Sequence, residues 1–298
     1  MAMTLDEPLT AHALLDGAMK QARRHFRVIF PPVGIPLALS AACIPLVQGF
    51  WFRNLADFEK GPANLPLFLL GMGGFVVVIL VFVALNILGY AALIAGATDA
   101  GAGRPVSMTR AWLAVVRPQP LFTLVIAALA VFAGFVCCIL PGLYVGILFS
   151  LVVPVMVEEG KLWGDALGRS ASLIQYNPRR ELADDPRVRA FLIVFVGMLL
   201  GYAVSFIIQM PLIVVQQVLV MRELAGGERT DPLTVMSMLT WVQVPTTALA
   251  TLAQVAVNLY VGFGLALLYF DVRRRQEGLD LQSAVDGLVQ RAPAPATP

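Results

Sequence analysis

The run PLFLLGMGGFVVVILVFVALNILGYAALIA, residues 66–95, contains no charged side chain. Wound as a helix at 1.5 Å per residue it would reach about 45 Å, more than the roughly 30 Å hydrocarbon core of a bilayer. A membrane β-strand would alternate apolar and polar residues, and this run does not. A spanning segment must also satisfy every backbone amide internally, so the run reads as a transmembrane helix.

Five further stretches read the same way on either side of it: 28–52, 121–140, 143–157, 191–221 and 245–270. The whole composition agrees, with 58% hydrophobic and 13% charged residues, against roughly a quarter charged in soluble domains. The stretch 143–157 is short for a span, and Pro141-Gly142 sits between it and its predecessor. Two readings stay open there: a tight hairpin turning at Pro141-Gly142, or a re-entrant pair. Both return the chain to the same side.

Lys and Arg set the orientation. Lys20, Arg23, Arg24 and Arg27 precede the first span, Arg104, Arg110 and Arg117 the third, and Lys161, Arg169, Arg179, Arg180, Arg187 and Arg189 the fifth. Arg273, Arg274, Arg275 and Arg291 follow the last. These are 17 of the 21 basic residues, and only Arg53, Lys60, Arg222 and Arg229 occupy the other gaps. The richer side is expected to be cytoplasmic, with both termini there. The expected location is a bacterial inner membrane, and no cleavable signal peptide is expected ahead of the first span.

The expected fold is an all-α membrane protein of six spans in three hairpins, each preceded by a cytoplasmic interfacial amphipathic helix. Residues 1–27 form the arm, 28–270 the transmembrane domain and 271–298 a cytoplasmic tail, disordered at its proline-rich end. The interfacial helices follow from stripes. Leu14, Leu15, Ala18, Met19, Ala22 and Phe26 oppose Asp16, Lys20, Arg23 and Arg27. Met108, Ala111, Trp112, Val115 and Val116 recur beside Arg110 and Arg117, and Leu162, Trp163, Ala166, Leu167, Leu173 and Ile174 form the third stripe. Apolar residues at i, i+3 and i+4 with cations opposite describe helices lying in the interface. The loop 177–186, with prolines around mixed charge, reads as a solvated connector.

Chemistry-bearing residues are sparse. His12 and His25 are the two histidines, both in the arm, and no Gly-x-Ser-x-Gly or phosphate-binding loop motif is present. Cys43, Cys137 and Cys138 lie in apolar stretches and read as inert packing residues. Glu158 and Glu159 are adjacent, and adjacent helical residues point about 100° apart, so they do not make a shared acid–base site. No catalytic activity, cofactor, metal or nucleic-acid partner is expected.

Three residue groups carry the functional expectations. Glu158, Arg169, Asp271 and Arg273 are expected to form a cytoplasmic ion-pair cluster, with Arg169 as the partner of Asp271. Arg23, Arg24, Arg27, Arg274 and Arg275 are expected to reach lipid headgroups. Thr247, Thr251, Gln254 and Asn258, spaced four, three and four, share one face of the sixth span. That face is either a polar path for a transported small molecule or a set of interhelical hydrogen bonds. The leading expectation is a non-enzymatic protein that organises anionic lipids or a protein partner at the cytoplasmic face; the alternative is a small-molecule transporter.

Five further stretches belong together. LPGLYVGILFS (140–150), Val153-Pro154 with Glu158, and ALGRS (166–170) precede LYFDVRRRQEGLDL (268–281), and LLDGAMKQARRHFR (14–27) opens the chain. Together they resemble the membrane-domain family of glycerophosphoryl diester phosphodiesterases and related bacterial multi-pass proteins, in which a last span ends in Tyr-x-Asp-x-Arg before Glu-Gly-x-Asp. The resemblance covers nearly the whole chain and implies a helical membrane fold with no established activity. Some members carry a soluble phosphodiesterase domain; none is expected here, so that activity is not implied.

Overall fold

Helices account for nearly all of the described backbone. The computed structural model describes residues 10–58, 65–175, 185–226 and 232–278. Among these residues the helices are α1 (Ala11–Phe58), α2 (Leu65–Gly101), α3 (Met108–Val116), α4 (Pro118–Cys137) and α5 (Ile139–Leu148). They continue with α6 (Val152–Glu159), α7 (Trp163–Gln175), α8 (Pro186–Gly226) and α9 (Pro232–Glu277). Six segments are long and apolar enough to cross a membrane: Ala11–Phe50, Leu69–Gly101, Pro118–Cys137, Ile139–Glu159, Pro186–Val215 and Thr240–Glu277. Leu80, Phe132, Val136 and Ile207 stand largely exposed on their outer surfaces. In water such a surface would drive association, whereas against acyl chains it costs nothing.

Helix α9 lies at the centre. Its segment 259–272 is almost wholly buried, with Leu259, Phe263, Leu268 and Tyr269 sealed from the surface. A helix apolar all round needs neighbours all round. Gly34 of α1 meets Leu252, Gly49 meets Thr240, and His25 stacks on Phe263 with ring centroids 5.8 Å apart. Rising numbers on α1 against falling numbers on α9 make this pair antiparallel. Helix α8 is also antiparallel to α9, since Gly197 faces Val261 and Gly201 faces Gln254. Helix α2 runs parallel to α9, with Leu93 against Gly262 and Gly101 against Phe270. The starts of α1 and α8 and the ends of α2 and α9 therefore meet at one end of the bundle, which is the arginine-rich end.

The expected interfacial helices divide into two kinds. The second and third stripes are separate short helices, α3 and α7. The first is not separate, because α1 runs unbroken from the arm through the span. Leu14, Ala18 and Ala22 are buried, and Ile29, Val33, Leu37 and Ala41 continue the same line. That line advances in steps of four residues with one step of seven between Ala22 and Ile29, all of which keep to one helical face, so the arm's stripe stays in phase with the span's buried face and no corner is needed. Chain position 27 is thus not a structural boundary.

Local chemistry sets the other breaks. Arg117 precedes Pro118 and takes φ −55°, ψ 146°, the extended conformation that a following proline imposes. It ends α3, and Pro118 starts α4 at a position where a missing N–H costs nothing. The turn between α4 and α5 falls on Cys138 (φ −174°, ψ 156°) rather than on Pro141-Gly142. Pro141 instead occupies the first turn of α5, where its absent N–H is an orphan in any case. Gly142 allows the two helices to touch: a Cβ there would lie 2.5 Å from the Phe135 ring and 2.7 Å from the Phe135 amide. Pro154 cannot donate to the Ser150 carbonyl, and the helix breaks between α5 and α6 at that turn. Across the break, Ile139–Glu159 makes a full-length span. The three cysteines are exposed on the outer surface, which corrects their reading as packing residues. Most of the loop 177–186, and all of the proline-rich tail, lie outside the described residues.

Candidate functional site

Charges at the arginine-rich end form three networks, and the four residues expected to cluster there are divided among them. Asp271, nearly two turns from the end of α9, accepts from Arg189 Nη1 at 3.0 Å and from Arg275 Nη2 at 3.1 Å. The side chains of Arg189 and Asp271 are 2% and 7% exposed. Arg189, at the start of α8, thus takes the place expected of Arg169, because the antiparallel pairing of α8 with α9 brings their ends level. Arg275, expected at lipid headgroups, is held inward by the same carboxylate. Desolvating such a pair is costly, and its attraction roughly offsets that cost, so the geometry fixes register more than it adds stability.

Arg169 belongs to the second network. Glu159 accepts from Arg169 Nε at 3.0 Å, from Lys161 at 2.7 Å and from the Tyr269 hydroxyl at 3.2 Å. Arg169 also donates to Gln276 at 3.1 Å and to Glu277 at 2.6 Å. Arg273 reaches the same Glu277 at 3.1 Å and the Tyr269 hydroxyl at 3.2 Å. Helices α6, α7 and α9 are tied together here. Glu158 points the other way, to Arg104, which also bonds Asp99 at 2.8 Å. The two adjacent glutamates therefore serve different networks, as their angular separation requires.

Asp99, Arg104, Glu159, Arg189, Glu277 and Tyr269 were not among the expected site residues. Asp99 had a signal: it follows an apolar run and precedes Gly-Ala-Gly-Arg, much as Asp271 precedes three arginines. It went unread because α2 continues two turns beyond the apparent end of its span.

Beside the third network, α2, α3, α4 and α6 enclose a cleft of about 680 Å³. Arg104, Arg110 and Arg117 line it, with Asp99 and Gln119. Arg104 is held by Asp99 and Glu158, whereas Arg110 and Arg117 are exposed and have no acidic partner among the described residues. Next to the lining residue Leu162, the backbone N–H of Trp163 donates to the Thr123 hydroxyl at 2.9 Å and its ring stacks on Phe122, tying α7 to α4. Trp163 has φ 56°, a left-handed conformation that Gly160 (φ 63°) also adopts in the turn leading to it.

A second cleft of about 430 Å³ lies between α1, α8 and α9. Arg23 and Arg27 stand on it with Met19, Phe26, Leu200 and Tyr260. Arg24 is exposed on the same helix. Arg274, on α9, is partly buried.

The polar face of α9 closes largely on itself. Gln254 donates to Asn258 at 3.0 Å, and Thr251 donates to the Thr247 carbonyl at 2.8 Å. The Gln254 amide packs on Gly201, where a Cβ would sit 2.5 Å from its oxygen. His25 is a packing residue against Phe263. Among the described residues, no three His, Cys, Asp or Glu side chains converge as metal ligands would.

Comparison with protein-family models, curated proteins and solved structures finds no match to this chain.

Proposed function

We propose that this chain is a non-enzymatic multi-pass protein of a bacterial inner membrane that organises anionic lipids at its cytoplasmic face. Its spans pair as α1 with α2, α4 with α5–α6, and α8 with α9; α3 and α7 lie in the interface, and both termini are cytoplasmic. We read it as a relative of the glycerophosphoryl diester phosphodiesterase membrane-domain proteins, on the residues quoted above. The observation that carries the lipid reading is the cleft of α1, α8 and α9, which sets Arg23 and Arg27 beside Phe26, Leu200 and Tyr260. Cations beside apolar walls match a lipid phosphate above its acyl chains, and each such cation contributes roughly 1 kcal/mol near an anionic surface.

The test is lipid retention. Protein extracted from bilayers of equal phosphatidylglycerol and phosphatidylcholine should carry an excess of phosphatidylglycerol. Changing Arg23, Arg24 and Arg27 together to Gln should shrink that excess with the melting temperature held. Equal retention of both lipids by the unmodified chain would overturn the reading.

A further inference from the structure

A second space lies next to the cleft beside Asp99 and Arg104, one helical turn deeper into the membrane-crossing part of the molecule. An apolar cavity of about 610 Å³ lies between α2, α4, α5 and the first turn of α6, with Val194 and Met198 of α8 and Leu265 of α9 closing it on the side of the bundle. The two share three walls, one helical turn apart. On α2, Ala95 and Asp99 face the cleft and Ala91 and Ile94 the cavity. On α4, Pro118 to Pro120 face the cleft and Leu124 begins the cavity wall. On α6, Met156 and Val157 face the cleft, and Val152 and Val153 the cavity. The hydroxyl of Ser150, one of the few polar groups on the cavity wall, already donates to the Ile147 carbonyl at 2.8 Å.

We propose that cleft and cavity together hold one anionic phospholipid, its phosphate between Arg110 and Arg117 and an acyl chain along α4. This rests on the reading that the chain spans a bilayer and takes anionic lipid, and it names a second, distinct place where that happens. Arg110 and Ala114 fall at i and i+4 on one face of α3, Arg117 is the residue that ends the helix, and all three line the cleft. Three guanidinium groups stand there against two carboxylates, Asp99 and Glu158, and both carboxylates are bonded to Arg104, which leaves the charges of Arg110 and Arg117 unbalanced among the described residues.

The start of α4 does not supply the donors. Pro118 and Pro120 have no N–H, and the Leu121 amide is used by the Arg117 carbonyl at 3.0 Å. Recognition of an anion therefore falls to the guanidinium groups and Gln119, and guanidinium groups bond phosphate through paired N–H donors. The length also fits. From Leu124 to Phe135 the cavity wall follows α4 for about 16 Å at 1.5 Å per residue, close to the roughly 15 Å of one leaflet. Gly142 and Gly146 keep α5 close to α4 on the cavity's outer side.

The experiment is native mass spectrometry of the full chain released from nanodiscs of equal phosphatidylglycerol and phosphatidylcholine. A phosphatidylglycerol held at this site should survive release, in addition to any retained at Arg23 and Arg27. Arg110→Gln with Arg117→Gln should lower its ratio to phosphatidylcholine roughly tenfold or more, at an unchanged melting temperature. Ala128→Phe, which fills the cavity and leaves every arginine in place, should also release the lipid. Glycerol phosphate added to delipidated protein should not raise the melting temperature, whereas phosphatidylglycerol should.

If Arg23→Gln with Arg24→Gln and Arg27→Gln released the lipid and the Arg110/Arg117 pair did not, the lipid would sit in the other cleft. That result would overturn this proposal and leave the general lipid reading intact. Stabilisation by glycerol phosphate equal to that by lipid would remove the acyl chain from the site and overturn the proposal. Retention of neither lipid by the unmodified chain would overturn both readings.

Discussion

Two sides of the arginine-rich end treat the same side chain in opposite ways. On the α8–α9 side, glycine contacts such as Gly197 with Val261 and Gly201 with Gln254 close the helices on one another. Arg189 and Asp271 are consequently sealed between them. On the α3–α4 side the helices stand apart, a cleft remains, and Arg110 and Arg117 face it without an acidic partner among the described residues. Close packing forces a charge to find a counter-charge, because an unpaired buried ion is costly. Open packing exerts no such force, so a cation there stays available to something outside the chain. The two kinds of arginine should separate in experiment, one controlling stability and the other ligand affinity.

The largest effect should come from the sealed side. Asp271→Asn removes the carboxylate and leaves Arg189 buried beside Arg275. The expected loss is about 3–5 kcal/mol, the cost of stranding a buried charge, read as a fall in the unfolding midpoint in mild detergent. Arg189→Met together with Asp271→Leu should recover most of it, since two apolar groups need no partner. A double variant no better than the single one would show that the pair is not sealed as described.

An intermediate effect should follow from the second network. Arg169→Ala withdraws donors from Glu159, Gln276 and Glu277 together, but Glu159 keeps Lys161 and Tyr269. The expected cost is about 1–3 kcal/mol, that of partly unsatisfying a nearly buried carboxylate. A midpoint unmoved by this substitution would place Arg169 with the open side of the comparison.

These differences were only partly legible in the sequence. The six spans could be read because run length against bilayer thickness is a local property, and the break at Arg117-Pro118 because a proline acts on its immediate predecessor. The short fourth stretch was under-read, since Cys138 rather than Pro141 makes the turn and Ile139 already belongs to the returning helix. The first amphipathic stripe was not legible as part of α1, because the same stripe suits a helix lying on a membrane or one packed against α9. Ion-pair partners were the least legible. Arg189 and Asp271 are 82 positions apart, and only the antiparallel register of α8 and α9 makes them neighbours. The cavity had no sequence signal at all, because a space between helices is a property of how far they stand apart.

The smallest expected effect is the sharpest test of the comparison. Arg110→Gln with Arg117→Gln removes two full charges, yet without bound lipid it should change stability by less than about 0.5 kcal/mol, as for exposed sites that hold no structural contact. Any change should lie toward greater stability, because both cations line one cleft and like charges there repel each other. Unfolding of delipidated protein in neutral detergent measures this. A loss as large as that of Arg169→Ala would mean that these arginines already serve the fold. The open side would then be no different from the sealed one, and the charge assigned to a lipid would not be free to bind it.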